Sequence, residues 1–199
     1  MLRTGVSHLD AVILTHEHND HMIGVDDVRP FNFRQKEDIP VYATERVQND
    51  LRLRFEYVFS TNKYPGAPSL ALRTISKNES FEIKGIEFKP IEVIHGKLPV
   101  LGFRIGDFTY ITDARTIVPE EMTKIEGTKF LILNALHYYE HYSHFNVPQA
   151  LEVIEKIKPE HAFLTHVSHH MGLSSEINKI LPSNVKLAYD QQVIEIQYD

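Results

Sequence analysis

The stretch "LTHEHNDHMIG", residues 14–24, places three histidines, a glutamate and an aspartate within the six positions from His16 to His21. Imidazoles and carboxylates at that density are costly to bury without partners, and a solvated surface has no need of them. The fold must therefore gather these side chains and give them something to hold. A divalent cation suits their chemistry. The chain contains no cysteine, so any metal here is held by imidazole and carboxylate alone.

The flanks repeat one pattern. "DAVILTH" (10–16) reads as a buried strand that stops at His16. His95 ends "IEVIH", Asp113 ends "TYITD" and His166 ends "AFLTH" in the same way. In open α/β sheets the ligand crevice lies at the carboxyl ends of the strands, so four such endings are expected to converge. His16 and His18 lie two apart and face the same way just past a strand. Asp20 and His21 run into an expected helix start, with Asn19 or Asp20 near its cap. Two ligand sets follow: His16, His18, His95 and Asp113 for one ion; Asp20, His21, His166 and the shared Asp113 for a second. Two such ions, about 3.5–4 Å apart, clamp a phosphoryl group and supply a hydroxide nucleophile near neutral pH. Glu17 and Asn19 alternate with the ligands and are expected behind them or in solvent.

The rest of the chain reads as α/β. "IPVYA" (39–43) is a strand, followed by a helix over 44–59 with Thr44 as its cap and apolar positions at 47, 51, 55 and 58. Residues 60–69 are a loop. From 70 to 112 come short strands, with Lys84-Gly85 and Gly106-Asp107 as tight turns. "FLILNAL" (130–136), a helix over 146–158 capped by Asn146 with Gln149 three residues on, and "HAFLTH" (161–166) form a strand–helix–strand unit with a parallel pair. A short helix over 174–181 and strands at "VKLAYD" and "VIEIQ" follow.

Composition narrows the function. With 199 residues, 42% apolar and 24% charged, the chain suits one globular domain. No apolar run nears the ~20 residues that span a bilayer, and the first residues lack a secretory apolar core, so a cytoplasmic, non-membrane protein is expected. A net charge of −6 disfavours a broad nucleic-acid footprint. It still allows a small phosphate substrate, because bound cations reverse the local charge.

Taken together, H-x-H-x-D-H followed by a strand-end His, a strand-end Asp and a strand-end His resembles the metallo-β-lactamase-fold hydrolases. The longer strings "AVILTHEHNDHMIGVDDVRPFNFRQ", "TDAR" (112–115), "HYSHFN" (141–146) and "LTHVSHHMG" (164–172) are similar to the phosphoribosyl cyclic phosphodiesterase branch, related to the tRNA 3′-processing ribonucleases. The resemblance implies an αββα sandwich with His16, His18, Asp20, His21, His95, Asp113 and His166 as ligands of two divalent ions, Zn or Mn. It also implies that His144, a histidine outside the ligand set, lies near the scissile phosphate, where it would protonate the leaving alkoxide. His144 and Asp20 are thus the expected catalytic residues, and His169 and Tyr142 the expected substrate contacts. The function expected is hydrolysis of small, including cyclic, phosphodiesters. The alternatives are a catalytically impaired metal-binding fragment and a tRNA 3′-processing-type nuclease.

Other positions are more open. His137 and His141 lie in an aromatic loop whose tyrosines suit either packing or stacking on a sugar or base. Relatives often carry an acidic residue where this chain has His170. Arg115 is placed to orient Asp113 by a bidentate pair. Asp26, Asp27 and Arg29 suit a buried salt-bridge group; His8 and His161 are read as structural. The family's first half ordinarily contributes several strands before the motif, whereas residues 1–15 precede it here. The expectation is a sandwich lacking its first N-terminal strands, marginally stable or with its sheet edges covered in a homodimer.

Overall fold

The computed structural model describes residues 2–196. The chain divides into two compact units, one up to residue 85 and one from residue 86 on. Among the described residues, no helix is long and apolar enough to cross a membrane.

In the first unit, a 3-10 turn (Leu2–Thr4) precedes β1 (Val12–Ile13), which is much shorter than the strand expected over 10–16. The Leu14 N–H still reaches the Tyr42 carbonyl at 2.9 Å, but the chain then leaves the sheet, so His16 lies beyond the strand rather than at its tip. Helix α1 (Asn19–Met22) follows. Its N-cap is His18 in extended backbone, with no side-chain capping bond, and not Asn19 or Asp20. A short, uncapped helix suits a segment whose polar side chains are committed elsewhere. A 3-10 stretch (Ile23–Val28), α2 (Arg29–Gln35), β2 (Ile39–Ala43), α3 (Glu45–Arg54), α4 (Glu56–Phe59), β3 (Leu70–Thr74) and β4 (Phe81–Ile83) complete the unit. Strands β1, β2 and β3 pair in parallel, Val12 opposite Val41 and Ile39 opposite Leu70.

The Thr44 hydroxyl accepts the Val47 N–H at 3.4 Å, as a cap should. The helix expected over 44–59 nevertheless breaks at Phe55 (φ −112°, ψ 43°) into α3 and α4. Its apolar spacing survives the break: Val47, Leu51, Phe55 and Val58 all pack with Leu14, Met22, Val25, Val41 and Ala43. The acidic–basic group at 26–29 is not a buried salt bridge. Asp27 and Arg29 are exposed, and the Asp26 carboxylate accepts a hydrogen bond from the Tyr57 hydroxyl. Burial and that bond push Tyr57 up to about 12.

In the second unit, β5 (Ile86–His95), β6 (Leu98–Ile105) and β7 (Phe108–Ile111) form an antiparallel meander. At Gly102 a Cβ would lie 2.7 Å from the Tyr110 carbonyl oxygen, so only glycine lets β7 pack this closely on β6. Helix α5 (Pro119–Met122) leads to β8 (Phe130–Asn134), then α6 (Val147–Ile157), β9 (His161–Thr165), α7 (Ser174–Ile180) and β10 (Val185–Leu187). Strands β7, β8, β9 and β10 are parallel neighbours in that order. Asn146 and Gln149 form the expected reciprocal cap of α6, with bonds of 3.0 and 3.2 Å. Val147, Ala150, Val153, Ile154 and Ile157 recur at helical spacing and share one core with Leu131, Leu133, Ala162 and Leu164. No strand forms over 193–196, against the reading of "VIEIQ"; Gln197 lies outside the described residues. Strand β10 stops at Leu187, short of the expected "VKLAYD" strand, and Gln191, at φ 67°, lies in the turn at 190–191 that precedes residues 193–196.

This topology sets where side chains emerge. Two antiparallel steps, β5 to β6 and β6 to β7, restore the original direction. Strand β5 therefore points the same way as β7, β8, β9 and β10, and the carboxyl ends of these five share one edge. His95, Asp113, the loop after β8, and His166 all leave from that edge.

Candidate metal centre

Each unit gathers its own share of the expected ligands. In the first unit, the His16 ring lies 4.6 Å from that of His18 and 4.3 Å from that of His21, centroid to centroid. His16 is fully buried, with its Nδ1 3.0 Å from the Thr15 hydroxyl. His21 Nε2 stands 3.3 Å from the Asp20 carboxylate. The two residues that alternate with the ligands are held from behind by α3. Arg46 pairs with Glu17 at 3.1 Å, and the Arg54 guanidinium binds the Asn19 side-chain oxygen. Glu17 and Asn19 thus anchor the loop to the helix, and the ligands project from the intervening positions.

In the second unit, three imidazoles meet one carboxylate. Asp113 Oδ2 lies 3.8 Å from His95 Nε2 and 3.4 Å from His144 Nε2; Oδ1 lies 3.3 Å from His166 Nε2. Asp113, His144 and His166 each offer a ligand atom, all within 4.8 Å of one another. Asp113, His95 and His144 are buried. The His95 tautomer follows from its other nitrogen. Nδ1 is 2.8 Å from the Ser143 carbonyl oxygen, which only accepts, so Nδ1 carries the hydrogen. In the neutral ring Nε2 then presents a lone pair toward a carboxylate. Two acceptors facing each other in a buried site repel unless a cation or a proton lies between them. The donor set therefore fits a hard or borderline divalent ion.

The backbone around Asp113 is unusual. Asp113 (φ 58°) and His166 (φ 54°) both occupy the left-handed region, which costs energy for a residue with a side chain and clusters at functional sites. Asp113 is held there by Asn134, at the buried end of β8. The Asn134 Oδ1 accepts the Ala114 N–H at 2.7 Å and its Nδ2 donates to the Ala114 carbonyl at 2.9 Å. That carbonyl also accepts the Phe145 N–H at 2.7 Å. The Thr112 hydroxyl donates to Asp113 Oδ1 at 2.6 Å. Sequence reasoning missed Asn134; a polar residue ending the apolar run "FLIL" was its only signal.

The remaining histidines separate into classes. Nδ1 of His141 and Nδ1 of His144 are 3.0 Å apart, so one donates to the other. Burial, with the nearby imidazoles of His144, His137 and His95, holds His141 below the usual histidine range. His137 Nδ1 accepts the Tyr139 N–H at 3.1 Å, and the His169 and His170 rings pair at 3.8 Å. Tyr142 and His169 are exposed. His8 sits in solvent 3.2 Å from Asp10, and His161 stacks on Phe130 at 5.5 Å. Arg115 does not bind Asp113 through a bidentate pair. Its Nε donates to the His141 carbonyl at 3.0 Å and so ties down the loop that carries His144.

A model of the Beta-lactamase superfamily domain matches residues 2–167. The chain belongs to the beta-lactamase superfamily. Its fold is that of the metallo-β-lactamases. A crystal structure of a new diphosphatase from the PhnP family superposes with a TM-score of 0.90 and 32% identity, covering 99% of this chain and 75% of that one. The short form of human tRNase Z gives 0.67 and 19%, over 94% of this chain and 79% of the other. By sequence, an octanoyltransferase of Porphyromonas gingivalis strain W83 is 38% identical over 190 residues, 95% of this chain. This chain spans only 38% of that protein's length. The superfamily assignment and the His/Asp cluster together support divalent metal binding by a hydrolase fold.

Proposed function

We propose that this superfamily member is a dinuclear metal-dependent phosphodiesterase that hydrolyses small, including cyclic, phosphodiesters such as a phosphoribosyl cyclic phosphate. The observation that carries this reading is Asp113 with three imidazole Nε2 atoms between 3.3 and 3.8 Å from it. In the proposal His16, His18, His95 and Asp113 hold one ion, and Asp20, His21 and His166 hold a second that shares Asp113. When bound, such ions neutralise phosphoryl oxygens and make water a nucleophile near neutral pH.

The chain's own residues supply the rest. His95 offers Nε2 because the Ser143 carbonyl fixes the hydrogen on Nδ1. Asp113, oriented by the Thr112 hydroxyl, balances the positive charge. His144, 3.4 Å from Asp113 and backed by His141, protonates the leaving alkoxide. Asp20 assists beside the second ion, and His169 and Tyr142 contact the part of the substrate beyond the phosphate.

A second reading, a diphosphatase, is favoured by the PhnP-family structure at 32% identity. The two bonds differ, so the substrates separate the readings. The tRNase Z likeness shows shared fold alone, and a net charge of −6 suits a small substrate better than a long RNA. The octanoyltransferase activity belongs to a protein most of which lies outside the match.

The test is hydrolysis of bis(p-nitrophenyl) phosphate, a cyclic phosphodiester and inorganic pyrophosphate with Mn or Zn. The proposal expects turnover of the phosphodiesters, abolished in Asp113→Ala and reduced about 10²–10⁴-fold in His144→Ala, the range for a positioned acid. Turnover of pyrophosphate alone establishes the second reading. Equal activity of wild type and Asp113→Ala overturns both. Metal binding without turnover of any of them marks the chain as a non-catalytic metal-binding member.

A further inference from the structure

The loop after β8 carries "HYYEHYSHFN", residues 137–146, three tyrosines and three histidines with no lysine or arginine. Its backbone is fixed. The Leu136 N–H binds the Phe145 carbonyl at 2.9 Å, the Val147 N–H binds the His137 carbonyl at 2.9 Å, and the Phe145 N–H binds the Ala114 carbonyl at 2.7 Å. Arg115 holds the His141 carbonyl. Gly96, at φ 62°, lets the turn after β5 pass close beneath: a Cβ there would meet the Ser143 Cβ at 3.3 Å and the Tyr142 Cε2 at 3.7 Å.

On this fixed loop Tyr142 is 83% exposed and Tyr139 72% exposed. Two large rings left this open on a fixed backbone mark a contact surface. Tyr142 is also connected to the centre. Its ring lies 4.9 Å from that of His141, His141 lies 4.9 Å from His144, and His144 stacks on His166 at 4.9 Å and 22°. A run of rings thus leads from the Asp113 carboxylate outward to an open aromatic face. With no lysine or arginine among residues 137–146, the loop's own side chains suit a flat π-system better than further phosphates.

We propose that Tyr142, backed by His141, is a stacking surface for a nucleobase, and that among small phosphodiesters those carrying one base, nucleoside phosphodiesters, are bound in preference to base-free ones. This rests on the phosphodiesterase reading above and names the substrate class for the same site. Base–aromatic stacking tolerates any base, so preference among bases is expected to be weak while preference for having one is strong.

The experiment compares thymidine 5′-(p-nitrophenyl phosphate) with methyl p-nitrophenyl phosphate, which share the leaving group and differ in the base-bearing nucleoside. Wild type, Tyr142→Phe and Tyr142→Ala are assayed after Mn loading. Wild type is expected to favour the thymidine ester about ten-fold or more in KM, the scale of one base–aromatic stack. Tyr142→Phe keeps that ratio and Tyr142→Ala reduces it toward one. A wild-type ratio near one, or a ratio that survives in Tyr142→Ala, overturns the proposal while leaving the phosphodiesterase reading intact. Equilibrium dialysis with thymidine 5′-monophosphate and ribose 5-phosphate decides the point if neither ester is turned over. Tighter binding of the nucleotide, lost in Tyr142→Ala, supports the stack; equal binding refutes it.

Discussion

Asp113 holds its carboxylate between three imidazoles while its own backbone sits at φ 58°. Aspartate tolerates that region better than most residues, yet the conformation still needs support. Asn134 gives it by binding both backbone groups of Ala114. Asn134→Ala leaves a buried N–H without its partner, a loss of about 1–3 kcal/mol. It is also expected to weaken divalent-ion binding about 10–100-fold, as removal of a ligand's supporting partner does. Competition titration with a chromogenic chelator measures this, and an unchanged affinity removes Asn134 from the site. A second residue-scale prediction concerns Tyr57. Its folded value of about 12 lies above the ordinary 10.0. The stability tied to the protonated phenol is therefore complete below about pH 10 and is lost as pH rises through about 12. Urea unfolding across that window should show wild type losing more stability than Tyr57→Phe; parallel curves would contradict the link.

At the scale of elements, α3 holds the histidine loop. Arg46 and Arg54 project from one helix onto Glu17 and Asn19, the residues between the ligands. Replacing both arginines by alanine should weaken metal binding to the intact protein about 10-fold or more, and should also lower the melting temperature of the metal-free protein, because the Glu17 carboxylate is only 17% exposed and loses its partner. Arg46→Lys should recover only part of the affinity, since a single ammonium replaces a planar fork. Equal metal affinity in all variants would show that α3 merely packs beside the loop. This helix also shows what sequence can and cannot reveal. Its apolar spacing and its Thr44 cap were readable; its break at Phe55 and its grip on the loop were not, because both depend on tertiary neighbours. The ends of β5, β7 and β9 were legible because an apolar run stopping at His or Asp is a local signal. The brevity of β1 was not, since "AVIL" suits a longer strand and only the departure of the chain at His16 shortens it.

For the whole molecule, the order of strands explains why ligands so distant in sequence share an edge in the second unit. His95, Asp113 and His166 stand on strands that run the same way, while β6 runs opposite and contributes none of them. Pairing order cannot be read from periodicity alone, but the repeated strand-end pattern pointed to it. Superfamily membership gives that pattern its context, since a match over residues 2–167 spans every expected ligand. The proposal at stake is that seven histidine and aspartate residues hold two divalent ions. Elemental analysis of the protein after Mn or Zn loading and exhaustive dialysis tests it most directly. The account predicts two ions per chain, falling below two in Asp113→Ala. A wild-type chain that retains none, or an Asp113→Ala chain that retains as many as wild type, would contradict it.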